Sequence, residues 1–180
     1  MATMPIDRAR TPVTDMPVRD GGRAVREAAR WTKLVVGLSI YGLTISMMIR
    51  SGLGLGPWDA FHQGLGGLVG MTVGVASIVV GVVIVAGTTF LGVRPGIGTL
   101  LNMVWIGIAI DLVLPHVPEA GGLAAGLAYY AAALALNGVA TGMYISAGLG
   151  KGPRDGLMIV GAERTGWSVS RVRTGIEVSV

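Results

Sequence analysis

From Leu34 onward the chain is a series of long apolar runs separated by short polar stops. No Asp, Glu, Lys or Arg occurs between Lys33 and Arg50, Asp59 and Arg94, Arg94 and Asp111, or Glu119 and Lys151. These intervals hold 16, 34, 16 and 31 residues, and a helix crossing a bilayer core needs roughly 20 apolar residues. The pattern predicts spans over Leu34–Ile49, Met71–Leu91, Ile97–Leu114 and Leu123–Ala147. A fifth is predicted to begin near Ser170 and to be still running at Val180. Buried helices of a soluble protein would keep a polar outer face, and these runs have none. The expected fold is an all-α polytopic membrane protein with about five transmembrane helices.

Composition agrees, with 52% hydrophobic and 13% charged residues and a mean hydropathy of +0.67. Residues 1–33 differ in kind. They hold seven Lys/Arg, four Asp/Glu and three Pro, too little apolar surface to offset chain entropy. The reading is a disordered, basic, cytoplasmic tail. Its end, Arg23 to Lys33, suits a short basic helix with Trp31 at the headgroup level. No small-residue cleavage site follows the first apolar run, which argues against a signal peptide.

The chain has no Cys and two His. Disulfides and thiolate metal sites are therefore excluded. His62 and His116 are expected in different loops, outside any metal-ligand spacing. There is no GxSxG elbow and no Walker loop, so neither an enzyme active site nor a cofactor is expected. Half of the 14 basic residues lie in the tail and the rest flank the spans. That distribution suits a membrane surface rather than nucleic acid.

A second pattern lies over the first. Tyr41–Val82 aligns without gaps on Asn137–Val178 at a constant offset of 96, with 12 identities in 42 positions. At its centre GLGLGPWD, Gly52 to Asp59, lies over GLGKGPRD, Gly148 to Asp155. The chain thus reads as a membrane repeat over residues 34–115 and an incomplete second copy over residues 116–180. Leu55, Trp58, Leu68, Val75 and Ser77 of the first copy become Lys151, Arg154, Arg164, Arg171 and Arg173 in the second. With the tail inside, the Gly52–Gly70 loop and Glu119 turn fall outside, and the Arg94 turn and Lys151–Arg173 loop inside. Every junction then obeys the positive-inside rule. Three crossings separate the copies, so the expectation is an inverted-topology repeat with re-entrant or interfacial half-helices.

In each motif the glycines permit close turns, Pro suits the first helical position, and Asp falls in the first turn, near the positive helix end. The candidate substrate- or ion-binding residues are Gly52, Gly54, Gly56, Pro57 and Asp59, with Gly148, Gly150, Gly152, Pro153 and Asp155. The competing reading of the same residues is plain capping of an interfacial helix. The two motifs, followed by Ala60–Phe61 and Gly156–Leu157, resemble the YczE and YitT-like group of bacterial integral membrane proteins. The resemblance implies a compact polytopic bacterial membrane fold and no particular substrate or reaction.

Among the other polar residues, Asp111 is expected at the outer interface and Asn137 as an interhelical hydrogen-bond partner. Glu177 is expected to pair with Arg173. Gly42 and Ser46, over Gly138 and Gly142, are expected to pack two helices closely across the pseudo-axis. Two function classes follow: a transporter of a small solute or ion, or a non-transporting scaffold or regulator. The expected setting is the bacterial inner membrane, multi-pass, with a cytoplasmic N-terminus. Lipid is then the one certain partner, and a homo-oligomer or a membrane partner stays open. Matching the copies also calls for a further apolar stretch, a turn and a sixth span beyond Val180.

Overall fold

The computed structural model describes residues 21–180, and among them every regular element is helical. Seven α-helices follow in order: α1 Gly21–Ser51, α2 Pro57–Val69, α3 Val73–Phe90, α4 Ile97–Val113, α5 Leu123–Ser146, α6 Pro153–Thr165 and α7 Val169–Ser179. A short 3-10 turn, Leu114–His116, follows α4. Helices α1, α3, α4 with its 3-10 extension, and α5 are long and apolar enough to cross a bilayer. The chain is therefore an α-helical membrane protein, with four such helices among the described residues.

Where the fifth span was expected to begin, helix α7 starts at Val169 and runs to Ser179, one residue before the end of the sequence; over these 11 residues it carries Arg171, Arg173 and Glu177. The first span begins earlier than expected, because α1 runs unbroken from Gly21. The basic helix expected over Arg23–Lys33 is its first part. Residues 21–33 are thus ordered rather than tail-like; residues 1–20 lie outside the described residues. Arg30 supplies a physical reason, since its Nε and NH2 donate to the carbonyls of Ala147 and Gly148 at 2.8 and 2.9 Å. Those are C-terminal carbonyls of α5 that the helix itself leaves unpaired.

Helices α1 and α5 form an antiparallel pair. Arg30 meets Ala147, Gly37 lies against Ala140 and Tyr144, Asn137 Nδ2 donates to Thr44 Oγ1 at 3.1 Å, and Gly126 backs onto the Ser51 carbonyl. The interhelical role expected of Asn137 is the one it plays. Helices α3 and α4 also pair antiparallel, with Gly74 directly against the Gly107 carbonyl and Gly81 against Met103. Lipid gives little hydrophobic drive for helices to associate, so close approach through small residues carries the packing. Asp111 serves this pair as a cap: its carboxylate accepts from Gly74 N at 2.9 Å and from Thr72 Oγ1 at 2.5 Å.

The core joins α1 and α4 to the end of α5 through Leu34, Leu38, Ile45, Ile106, Ile110 and Tyr144. Here one expectation is corrected. Gly42 packs against α4, where a Cβ would lie 2.5 Å from Ala109 Cβ, and nothing approaches Gly138 or Gly142 within 4 Å. The two small-residue pairs therefore do not meet across an axis; α4 takes the surface of α1 that the pairing required.

Candidate functional site

Both motifs fold alike. The chain leaves α1 and α5 through turns in which Gly54 and Gly150 have φ of 115° and 144°, values that only glycine adopts without strain. It then enters α2 and α6 at Gly56 and Gly152, whose N-cap conformations agree within 2° in φ and ψ. Pro57 and Pro153 open the helices, each helix has 13 residues, and Gly70 and Gly166 close them with φ of 70°. Leu149 and Lys151 anchor the second turn to α4: Gly98 N donates to the Leu149 carbonyl at 2.9 Å, and Thr99 Oγ1 to the Lys151 carbonyl at 2.6 Å.

The segment Gly52–Gly70, expected to be external, is thus a turn followed by the helix whose start the motif predicted at Pro57, and His62 lies inside that helix at 2% exposure. Placing both His in loops fails for this one. Trp58 and His62 are the large side chains of α2 that turn inward, since they stand one helical turn apart on one face.

The first turns of α2 and α6 meet. Arg154 NH2 approaches Asp59 Oδ1 at 3.5 Å, and the Arg154 guanidinium carbon lies 5.0 Å from the Trp58 ring centroid. Both are at cation–π or ion-pair range. A cavity of about 190 Å³ opens beside them. Its walls include Tyr41, Gly81 and Ile106, each near the middle of its helix, so the half-helices converge well inside the bundle rather than at its ends. Asn102, Tyr144, Arg173 and Glu177 also line it, and Arg173 Nε donates to Glu177 Oε1 at 2.8 Å, the pairing expected of them.

The two motif aspartates behave differently. Asp155 Oδ2 accepts from Gly152 N at 3.1 Å, pairing one of the donors left free at the start of α6, so it does what the capping reading requires. Asp59 faces Arg154 instead. Burial lifts its carboxyl above the ordinary carboxylate range, while the Arg154 charge and hydrogen bond pull it back. His62 is held neutral: burial first, then Arg154, push it down to about 4.

Trp58 Nε1 and His62 Nδ1 are fully buried and have no hydrogen-bond partner within the protein. Buried donors and acceptors are nearly always paired, and both of these belong to side chains that line the cavity. Neither Trp58, His62 nor Arg154 was among the residues expected to bind. The available signal was the offset itself: positions 58 and 154 differ inside an otherwise repeated motif, yet the difference reads as membrane sidedness until the two residues are seen to stack.

A chain from Bacillus subtilis described as uncharacterized membrane protein YczE is 42% identical over 153 residues, 84% of this chain and 71% of that one. An uncharacterized Haemophilus influenzae protein is 31% identical over 147 residues, 82% of this chain and 67% of its own. The uncharacterized Bacillus subtilis protein YyaS is 30% identical over 129 residues, 69% of this chain and 64% of its own. No solved structure matches this chain. Residues 28–180 match the family of unknown function DUF6198, and the chain belongs to that family of YczE-like membrane proteins.

Proposed function

We propose that this membrane protein carries a small solute or ion across the bacterial inner membrane, binding it in the cavity where α2 and α6 converge. One observation carries the reading: two half-helices of the same length and N-cap backbone conformation bring Trp58 of one first turn and Pro153–Asp155 of the other to one cavity beside the middle of α3 and α4. Paired broken helices of this kind are how many secondary transporters bind their substrates.

Inverted symmetry supports the same reading. Exchanging the copies at the 96-residue offset turns the Arg30–Ala147 contact into the one between Gly126 and Ser51, and both occur. It likewise turns the α3–α6 contact into that between α7 and α2, again both present. An antiparallel α1 and α5 is what a two-fold axis in the membrane plane requires of equivalent helices. On this reading the basic α6 side faces the cytoplasm together with the N-terminus.

Light scattering from proteoliposomes tests transport while the substrate is still unidentified. After hyperosmotic shock, a panel of small carboxylates, amines, polyols and inorganic salts is expected to include one class that enters faster than into protein-free vesicles. Ser77→Phe, which enlarges a half-buried side chain of the cavity wall, is expected to abolish that entry. Entry indifferent to Ser77→Phe, or no accelerated class at all, would leave a non-transporting scaffold as the better reading.

A further inference from the structure

The cavity has surplus donors at one end. Trp58 Nε1 can only donate, is buried, and has no acceptor. Arg154 makes one long 3.5 Å bond, to Asp59, leaving most of a five-donor fork unused. The neutral His62 ring, stacked obliquely beside Trp58 at 6.3 Å, adds a buried nitrogen without a partner. A guest that satisfies this end must bring acceptors, and a planar pair of them fits a guanidinium best. The opposite walls, including Ile45, Val80, Ile84 and Met103, are apolar. The volume of about 190 Å³ compares with the roughly 150 Å³ of a cavity that admits benzene, so the site suits a guest of about six non-hydrogen atoms.

Charge fixes the protonation. Arg154 and two helix N-termini, each about +0.5, balance the carboxylates of Asp59 and Asp155. A monoanion entering this site adds a buried negative charge unless a proton enters too. Asp59 is the group placed to take it, because the guest's carboxylate would replace it at Arg154. We propose that the cavity binds a small monocarboxylate through Arg154 and the Trp58 N–H, with Asp59 taking up one proton from solvent as it is displaced. The site then keeps its net charge, and substrate and proton travel together.

The groups facing Asp59 favour this exchange. His62 on its own helix is neutral, and burial already raises the Asp59 carboxyl. From the neighbouring helices come Tyr41 of α1, Tyr144 of α5, Arg154 and Asp155 of α6, and Arg173 with Glu177 of α7; α3 and α4 contribute Ser77 and Asn102, which carry no charge. Once the guest occupies Arg154, the burial that favours the protonated acid acts on Asp59 unopposed.

This inference rests on the cavity being the solute site, and the test separates the two. Purified protein is titrated with radiolabelled butyrate in weakly buffered solution containing a pH indicator, with butyramide and n-butylammonium as competitors of matched size. Saturable butyrate binding with uptake of about one proton is expected, without competition from either analogue. Arg154→Gln is expected to weaken binding by about 10- to 100-fold, the worth of a charge-assisted hydrogen bond. Trp58→Phe keeps an aromatic side chain while losing the N–H and the five-membered ring, so a several-fold loss is expected there even if Arg154→Gln fails to fold. Asp59→Asn is expected to bind butyrate without proton uptake. Capture of butylammonium, sensitive to Ser77→Phe, would overturn the substrate class and keep the site. Butyrate binding unchanged in Trp58→Phe and Arg154→Gln, or no binding of any of the three, would overturn the inference.

Discussion

At the scale of single residues, the motif divides its labour between two chemically identical side chains. Asp155 caps its helix and Asp59 faces across to the other half. Asp155→Ala is therefore expected to lower stability by about 1 kcal/mol, the usual net worth of one hydrogen bond, in thermal unfolding of the detergent-solubilised protein. His62 makes a pH prediction with a definite sign. The folded ring stays neutral down to about 4, whereas its ordinary value is 6.5. Between these values the unfolded chain binds the extra proton, so stability falls as pH drops through the window. The full loss is on the order of 3 kcal/mol. Asp59 acts in the opposite sense, because its raised carboxyl holds a proton in the fold and that contribution is lost as pH rises through its folded value. The difference between wild type and His62→Asn isolates the ring, and that difference is expected to close between pH 6.5 and 4.

At the scale of elements, the two copies share local conformation and differ in what covers them. Leu38 is fully buried, whereas its counterpart Leu134 is 54% exposed. Gly42 receives Ala109 of α4, and its counterpart Gly138 receives nothing. Gly42→Leu is therefore expected to displace α4 and cost about 1–3 kcal/mol as an overpacked contact, while Gly138→Leu is expected to leave the unfolding midpoint unchanged. Equal destabilisation by both would show that the Gly138 face is covered. The element boundaries were largely legible. Helices α4 and α5 begin at the expected Ile97 and Leu123, where Gly96 and Gly122 mark their N-caps. The short helices were less so, because α2 carries Asp59, His62 and Gln63 and hydropathy alone reads such a stretch as a loop.

For the whole molecule, the inverted arrangement proposed above predicts sidedness. The chain has no Cys, so single cysteines can be introduced at Leu68, which is 86% exposed at the end of α2, and at the exposed Glu163 of α6. An impermeant maleimide is expected to label position 68 in intact cells and position 163 only after permeabilisation. Labelling of both from one side would remove the inverted repeat and, with it, alternating access through the α2–α6 cavity.

The sequence by itself determined the membrane setting, the helical spans over Met71–Leu91, Ile97–Leu114 and Leu123–Ala147 to within a few residues, and the repetition of a Gly-Pro-Asp helix start. Those properties reside in local composition: no polar face along a run, glycine where the backbone must turn, proline where a helix begins. Only the tertiary structure decided that the two motifs meet, that Asp59 rather than Asp155 faces a partner, and that Trp58 and His62 are buried without one. Positions 95 residues apart, Asp59 and Arg154, have no local signal joining them. Their encounter depends on how α1 lies against α5 and α3 against α4, and those approaches are set by contacts such as Gly37 with Ala140 and Gly74 with Gly107. Which glycine permits a turn can be read from its neighbours in sequence, whereas which glycine admits another helix is settled by the neighbour in space.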